Sequence, residues 1–187
     1  MFNCGILVNK SHRLPISFVP ENLVQIPGTK EFISKIVYEK FLQLQEQAKQ
    51  EGINIFIDNA YRTWLTQAKM WKYFAGKIGF EATMRRVAVP GYSEHQTGLA
   101  MDLGVVKNGS SSKITEEEAK YLEENAYKYG FILRYPKGKE EITGYQYEPW
   151  HFRYVGEDLA LYLKENDLTL EEYYLEKRNV QRENVKH

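Results

Sequence analysis

One carboxylate in the middle of an apolar stretch most strongly limits what this chain can form. Asp102 lies within residues 99–106 (LAMDLGVV), whose other members are apolar or glycine and predict a largely buried strand. A buried carboxylate is destabilising by several kcal/mol unless it meets a cation, a metal ion or strong hydrogen-bond donors. The fold must therefore bring such a partner to Asp102.

A histidine just before this strand is one candidate partner. His95 precedes Asp102 by a short turn, and Gly98 in that turn permits the bend that would direct the imidazole back toward the carboxylate. Of the other histidines, His12 and His187 are expected to be exposed to solvent. On local pattern alone, a structural histidine–aspartate hydrogen bond stays open as the alternative to a metal site.

A second histidine lies in an unusual context near the end of a predicted strand. His151 follows Glu148 by three residues, and Pro149 between them disturbs regular strand pairing, so both side chains can reach one site. Two histidines and one carboxylate bind zinc in hydrolytic sites and leave a position open for water. A separate glutamate near that water can take its proton and deliver it to the leaving group.

The composition excludes several other classes of function. Lys plus Arg and Asp plus Glu both number 25, so there is no basic footprint for nucleic acid and no polybasic patch for an anionic membrane. The single cysteine, Cys4, excludes an intramolecular disulfide and a cysteine-based zinc site, and we expect it to be a partly buried apolar side chain. No glycine-rich phosphate loop follows a strand. A peptide or small-molecule substrate fits these observations best.

The order of predicted elements favours an α+β fold. Helices come first, strands cluster in the middle, and short links join several strands, so we predict one domain with a central antiparallel sheet flanked by helices. The domain spans residues 1–187, with a core at about 7–156 and a helical tail at 157–187. The predicted helices are residues 31–50, 63–76 and 115–129; the predicted strands are residues 54–59, 99–106, 131–135 and 147–155; residues 109–112 are predicted to be an exposed loop.

No stretch of the sequence has the length of a transmembrane helix, so no membrane span is predicted. Residues 1–10 lack a charged leader followed by an apolar run and a small-residue cleavage site. We therefore expect a cytoplasmic protein. No oligomeric state is predicted.

Three segments resemble the signatures of the VanY-type D-alanyl-D-alanine carboxypeptidases. Residues 93–102 (SEHQTGLAMD) resemble the SxHxxGxAxD signature, and residues 148–156 (EPWHFRYVG) resemble ExWHxRYVG. Residues 61–67 (YRTWLTQ) are similar to the YRSxxxQ element, with Thr63 in place of serine. The resemblance extends over most of the chain, and the fold it implies is that of the zinc D,D-peptidases and the hedgehog signalling domain.

The resemblance implies a complete hydrolytic zinc site. It assigns the metal ligands to His95, Asp102 and His151, and the general base to Glu148. Trp150 is expected to form a packed wall beside the zinc ion.

The resemblance also implies substrate contacts. Arg62 would stabilise the oxyanion that develops at the scissile carbonyl, a role that suits a permanently charged, multi-donor side chain. Gln67 and Ser93 would donate hydrogen bonds to the substrate peptide or to its terminal carboxylate. The alternatives are a solvated helix position for Gln67 and a turn residue that bonds its own backbone for Ser93. Arg134 and Arg153 are expected to pair with carboxylates rather than line the cleft.

The implied substrate is a peptide ending in D-Ala-D-Ala. Without a recognisable leader, the chain resembles the VanXY type of vancomycin resistance, which combines D,D-dipeptidase and D,D-carboxypeptidase activities. An L,D-carboxypeptidase, an endolysin-type wall peptidase and a zinc-stabilised binding module without turnover stay open as alternatives.

Overall fold

The computed structural model describes residues 4–184, which form a five-stranded sheet and a separate two-stranded sheet, with helices around them. The strands are β1 (Leu23–Gln25), β2 (Phe32–Ser34), β3 (Ile55–Asn59), β4 (Ala100–Lys107), β5 (Ser110–Ser112), β6 (Phe131–Leu133) and β7 (His151–Tyr154). The α-helices are α1 (Lys35–Gln50), α2 (Trp64–Ile78), α3 (Phe80–Arg86), α4 (Glu116–Asn125), α5 (Glu140–Thr143), α6 (Glu157–Glu165) and α7 (Leu170–Asn184).

The central sheet is antiparallel throughout and has the order β3-β4-β7-β6, with β5 added to the end of β4. Strands β1 and β2 form a separate antiparallel pair just before α1. The predicted α+β architecture with a central antiparallel sheet is therefore confirmed.

The main apolar core lies between α1 and one face of this sheet. Helix α1 contributes residues at the spacing of one helical face, and β4 contributes alternate residues, as a strand with one buried face should. The core residues of α1 and β4 are Val37, Phe41, Leu44, Ala48, Met101, Leu103 and Val105. The alternation directs Asp102 to the opposite face of the sheet, where the functional side chains of β7 also lie.

The third predicted helix has the N-terminal cap and the C-terminal glycine that the sequence indicates. Thr115 and Glu118 form the reciprocal hydrogen bonds of a capping box at the start of α4. The α-helix stops at Asn125 and is followed by one 3-10 turn, Ala126–Tyr129, which Gly130 closes in the left-handed conformation.

Two predicted element boundaries and one predicted loop are wrong, and one helix was missed. The helix predicted from residue 31 begins at Lys35, because residues 32–34 pair with β1. The strand predicted from residue 147 begins at His151, because a turn precedes it. The loop predicted at residues 109–112 is the second strand of an exposed hairpin with β4. Helix α3 was not predicted at all.

The two C-terminal helices, α6 and α7, pack through a second apolar cluster. It contains Val155, Ala160, Leu163 and Leu170. Among residues 4–184, no helix is long and apolar enough to cross a lipid bilayer. His187, which was expected to be solvent-exposed, lies outside the described residues.

We expect Gly130→Ala to destabilise the protein much more than Gly109→Ala. Both glycines have positive φ, so alanine costs about 1–2 kcal/mol at either position. At Gly130 a Cβ would also lie 2.6 Å from a ring carbon of Tyr154 and 3.0 Å from the backbone of Gly156. This overlap adds about 1–3 kcal/mol. The free energies of unfolding in urea measure the difference, and equal losses would contradict the packing described here.

Candidate active site

Two local features bring His95 and His151 to Asp102. His95 lies in a 3-10 turn, Glu94–Thr97, that ends at Gly98 with φ of 68°, and β4 begins two residues later. The antiparallel register of β4 and β7 places His151 directly opposite Asp102. The predicted bend at Gly98 is confirmed.

The three side chains form a compact group of possible metal ligands. His95 Nε2 lies 3.4 Å from Asp102 Oδ2, and His151 Nδ1 lies 2.9 Å from Asp102 Oδ1. One ligand atom from each residue lies within 4.8 Å of the other two. The two imidazole rings meet edge to face, with their centroids 5.0 Å apart. Asp102 thus obtains the partners that its place in an apolar strand demands.

The chemistry of this group fits a zinc ion. His95 Nδ1 lies 2.6 Å from the carbonyl oxygen of Ala60, which fixes the proton on Nδ1 and leaves Nε2 as a lone-pair donor directed into the group. Burial lowers the pKa of His95, so this imidazole is neutral, as a metal ligand must be. Two nitrogens and one carboxylate oxygen form the ligand set of hydrolytic zinc sites.

The electrostatic environment keeps the Asp102 carboxylate ionised, which favours the binding of a cation. Burial alone would raise the pKa of Asp102, but the imidazoles of His95 and His151 hold it well below its usual range. Burial opposes the charge on His151, but the hydrogen bond to Asp102 and the nearby carboxylate of Glu94 raise the pKa of this imidazole to about 9. A metal ion that binds Nδ1 therefore displaces a proton.

Glu148 lies beside the metal-binding group in the turn before β7. The backbone N–H of His151 donates to the carbonyl oxygen of Glu148 over 3.0 Å, and this turn places the Glu148 carboxylate 3.8 Å from His151 Nδ1. Burial raises the pKa of Glu148 to about 7, although His151 and Arg62 act in the opposite direction. A carboxylate with a pKa near neutrality has the basicity that a general base requires.

Arg62 is held in the site from two sides. Its backbone N–H donates to the carbonyl oxygen of His95 over 3.1 Å, and its Nη1 donates to Gln67 Oε1 over 2.8 Å. Gln67 is only 2% exposed, and its Nε2 donates to the carbonyl oxygen of Ala88 over 2.6 Å. The alternative of a solvated position for Gln67 is therefore wrong, and this side chain supports the Arg62 guanidinium.

Both remaining predicted residues line the same cleft, which has a volume of about 280 Å³. Ser93 is buried at its wall, and its hydroxyl makes no capping hydrogen bond to the following turn. Trp150 is 41% exposed and also lines a second hollow of about 400 Å³. The indole thus borders both hollows, and the prediction that Trp150 forms a packed wall is wrong.

A buried network of two arginines and two glutamates lies behind the metal-binding group, and the sequence analysis predicted a role only for the arginines. Arg134 and Arg153 pair with carboxylates, as expected, and neither side chain is exposed. Their shared partner, Glu94, was not predicted to have a role, and neither was Glu171 on α7. The position of Glu94 next to His95 in the sequence was the one available signal.

Comparisons with known proteins agree with this geometry. A sequence model of the VanY family, described as D-alanyl-D-alanine carboxypeptidase, matches residues 30–157, more than half of the chain. The putative carboxypeptidase YodJ of Bacillus subtilis (strain 168) is 41% identical over 92% of this chain and 67% of its own length. The bifunctional D-Ala-D-Ala dipeptidase and D-Ala-D-Ala carboxypeptidase VanXYC of Enterococcus gallinarum is 38% identical over 90% of this chain and 92% of its own length.

Solved structures show the same fold. A variant of the vancomycin resistance D,D-pentapeptidase VanY from a VanB-type cassette, in complex with Zn(II), is 35% identical with a TM-score of 0.82, over 93% of this chain and 99% of that one. The LdcB LD-carboxypeptidase is 40% identical with a TM-score of 0.80, over 90% of this chain and 84% of that one. These likenesses confirm the predicted zinc D,D-peptidase fold and zinc as the cofactor.

We expect the zinc content of the purified protein to depend on the three clustered side chains. The wild-type protein should bind one zinc ion, whereas Asp102→Asn and His95→Ala should lose most of it, because each removes one of three protein ligands. His12→Ala, which removes an exposed imidazole, is the control and should keep its zinc. Metal analysis after dialysis gives the stoichiometry. Full zinc occupancy in both ligand variants would contradict the assignment.

Proposed function

The chain belongs to the VanY family of D-alanyl-D-alanine carboxypeptidases, and we propose that it removes the terminal D-alanine of cell-wall precursor peptides and also splits free D-Ala-D-Ala. The observation that carries this proposal is the His95–Asp102–His151 group, which opens into a cleft with Glu148 at its side. Similarity along 92% of the length of the bifunctional VanXYC supports the dipeptidase part.

In this proposal, His95, Asp102 and His151 hold the zinc ion through two nitrogens and one oxygen. The ion, when bound, supplies Lewis acidity toward the scissile carbonyl and the attacking water. The three side chains come from a 3-10 turn and two hydrogen-bonded strands, so regular backbone hydrogen bonds restrain the positions of all three. This restraint supports the orientation that hydrolysis requires.

Glu148 is the proposed general base and acid. Its carboxylate takes a proton from the attacking water as the oxygen adds to the carbonyl carbon of the scissile amide. It then delivers that proton to the nitrogen of the departing D-alanine as the C–N bond breaks. Burial, which raises the pKa of Glu148, makes both the uptake and the release of the proton accessible near neutral pH.

Arg62 is the proposed donor to the carbonyl oxygen of the scissile bond. Its guanidinium carries a permanent charge and stabilises the negative charge that develops on that oxygen. Gln67 holds one nitrogen of the guanidinium and thereby aligns the others with the cleft. Ser93, with its hydroxyl at the wall of the cleft, is proposed to donate to the substrate peptide.

The test of the proposal is the release of D-alanine from three substrates by the zinc-loaded protein. The substrates are free D-Ala-D-Ala, a muramyl pentapeptide ending in D-Ala-D-Ala, and the corresponding tetrapeptide, which ends in a single D-alanine. We expect release from the first two. Release from the tetrapeptide alone would overturn the proposal in favour of an L,D-carboxypeptidase, the activity that the name of the similar LdcB carries.

The cellular role is a further part of the proposal. An enzyme that removes D-Ala-D-Ala endings in the cytoplasm would deplete the target of vancomycin before precursors are exported. Expression in a susceptible host that makes an alternative precursor should then raise vancomycin tolerance, and fractionation should place the protein with the cytoplasm. A protein found with the wall fraction would contradict this location.

We expect Glu148→Gln to slow hydrolysis strongly while zinc stays bound. Glutamine keeps the size of the side chain but cannot accept the proton of the attacking water, so kcat should fall by about 10²–10⁴. Initial rates of D-alanine release and metal analysis of the same sample make the measurement. A variant with undiminished function would instead fit a binding module that has no turnover.

We expect Arg62→Lys to lower kcat more than it raises KM. Lysine keeps the charge but loses the planar fork that bonds Gln67 and the substrate oxygen, so kcat should fall by about 10²–10³. Arg178→Lys on the exposed side of α7 is the control and should behave as wild type. A higher KM with kcat unchanged would show that Arg62 only binds substrate.

A further inference from the structure

Two buried polar atoms without a hydrogen-bond partner face each other behind the metal-binding group. They are His151 Nε2 and Glu94 Oε2, which lie 3.6 Å apart. The distance is too long for a hydrogen bond, yet one atom can donate and the other can accept. An imidazole that binds a metal through Nδ1 carries its proton on Nε2 and almost always donates it to a carboxylate, carbonyl or water. Glu94 is the carboxylate placed to accept it.

The orientation of Glu94 is fixed by two buried arginines. Arg134 Nε donates to Glu94 Oε1 over 2.8 Å, and Arg153 Nη1 donates to the same oxygen over 2.6 Å. Both bonds use Oε1, so Oε2 is left directed at His151. The position of Oε2 therefore depends on where the two guanidinium groups are held.

Arg153 is anchored by the backbone, whereas Arg134 is anchored by α7. Arg153 Nη2 donates to the carbonyl oxygens of Cys4 and Ile6 over 3.0 Å and 2.7 Å. Arg134 makes a two-bonded fork with Glu171, from Nη1 to Oε2 over 2.8 Å and from Nη2 to Oε1 over 2.6 Å. Bidentate pairs of this kind fix both partners in angle as well as in distance.

The charges of the network depend on Glu171. Two guanidinium groups are balanced by two carboxylates, those of Glu94 and Glu171. Without the charge of Glu171, a wholly buried Arg134 would have only Glu94 to pair with, and the guanidinium would be drawn toward it. Arg134 also lies over the ring of Tyr135, which itself packs against the His151 ring with a centroid distance of 4.9 Å. A shift of Arg134 thus reaches His151 by two routes.

We propose that Glu171, on the C-terminal helix, is a positioning residue for the metal site, because it holds Arg134, which holds Glu94 against Nε2 of His151. The inference rests on the proposed assignment of His151 as a zinc ligand. It gives α7 a role in metal binding, although the helix lies beyond residue 157, where the match to the family ends. If α7 only stabilised the fold, replacing Glu171 would change the free energy of unfolding and leave the metal site unchanged.

The test compares Glu171→Gln with Glu176→Gln, a control at an exposed position on the same helix. Zinc affinity is measured by competition with a chelator, and the geometry of the site by the visible absorption of the Co(II)-substituted protein. Urea unfolding of the same samples measures stability separately. We expect Glu171→Gln to weaken zinc binding about ten-fold and to shift the Co(II) spectrum, with Glu176→Gln unchanged.

A double-variant cycle tests whether the effect passes through Arg134. Arg134→Lys keeps the charge but loses the fork, so it should also weaken zinc binding. The double variant should then bind zinc only slightly more weakly than Arg134→Lys alone, because both changes break the same connection. Additive losses, or wild-type zinc affinity and an unchanged spectrum in Glu171→Gln, would overturn the proposal.

Kinetics separate this inference from the proposed function. In Glu171→Gln we expect kcat to fall with KM within about two-fold, since the substrate contacts are untouched and only the metal ligand moves. If the wild-type protein binds zinc but hydrolyses no D-alanyl substrate, the proposed function fails. The comparison of zinc affinities still decides the role of Glu171 in that case.

Discussion

The structure depends on how one largely buried carboxylate is satisfied. Asp102 lies on β4 with its side chain on the face of the sheet opposite the main core, where it contacts both His95 and His151. The turn at Glu94–Thr97, the register of β4 with β7 and the turn before His151 all serve to place these two imidazoles. A metal ion bound by this group, as we propose, would offset the cost of burying the Asp102 charge and would supply the Lewis acid of the reaction.

Around this group, three of the proposed functional side chains each have a neighbour that takes no part in the proposed reaction. Gln67 holds Arg62, Ala60 holds His95 through its carbonyl oxygen, and Glu94 faces His151. Hydrolysis requires positions accurate to a fraction of an ångström, which explains why so many buried polar groups surround a small cleft. The site is thus supported from elements that are far apart in the sequence, including the N-terminal segment and α7.

The sequence predicted the parts that depend on local pattern. Periodicity and capping residues predict the α+β class, helix α1, strands β3 and β4, and the capping box at Thr115. The grouping of the metal-binding side chains followed from two motifs whose spacing resembles a known family. The fork between Arg134 and Glu171 could not be predicted, because it joins residues 37 positions apart and no local pattern relates them. The start of α1 was missed because pairing with β1 overrides the helical periodicity of residues 32–34.

X-ray absorption at the zinc edge of the purified, zinc-loaded protein tests the central claim most directly. A zinc ion held by His95, Asp102 and His151 predicts scattering from two imidazole rings, with nitrogen and oxygen ligands at about 2.0–2.2 Å. The Asp102→Asn variant, reloaded with zinc, should not reproduce this spectrum. A spectrum of oxygen ligands alone, or one that includes sulfur from Cys4, would contradict the site on which the rest of the account is built.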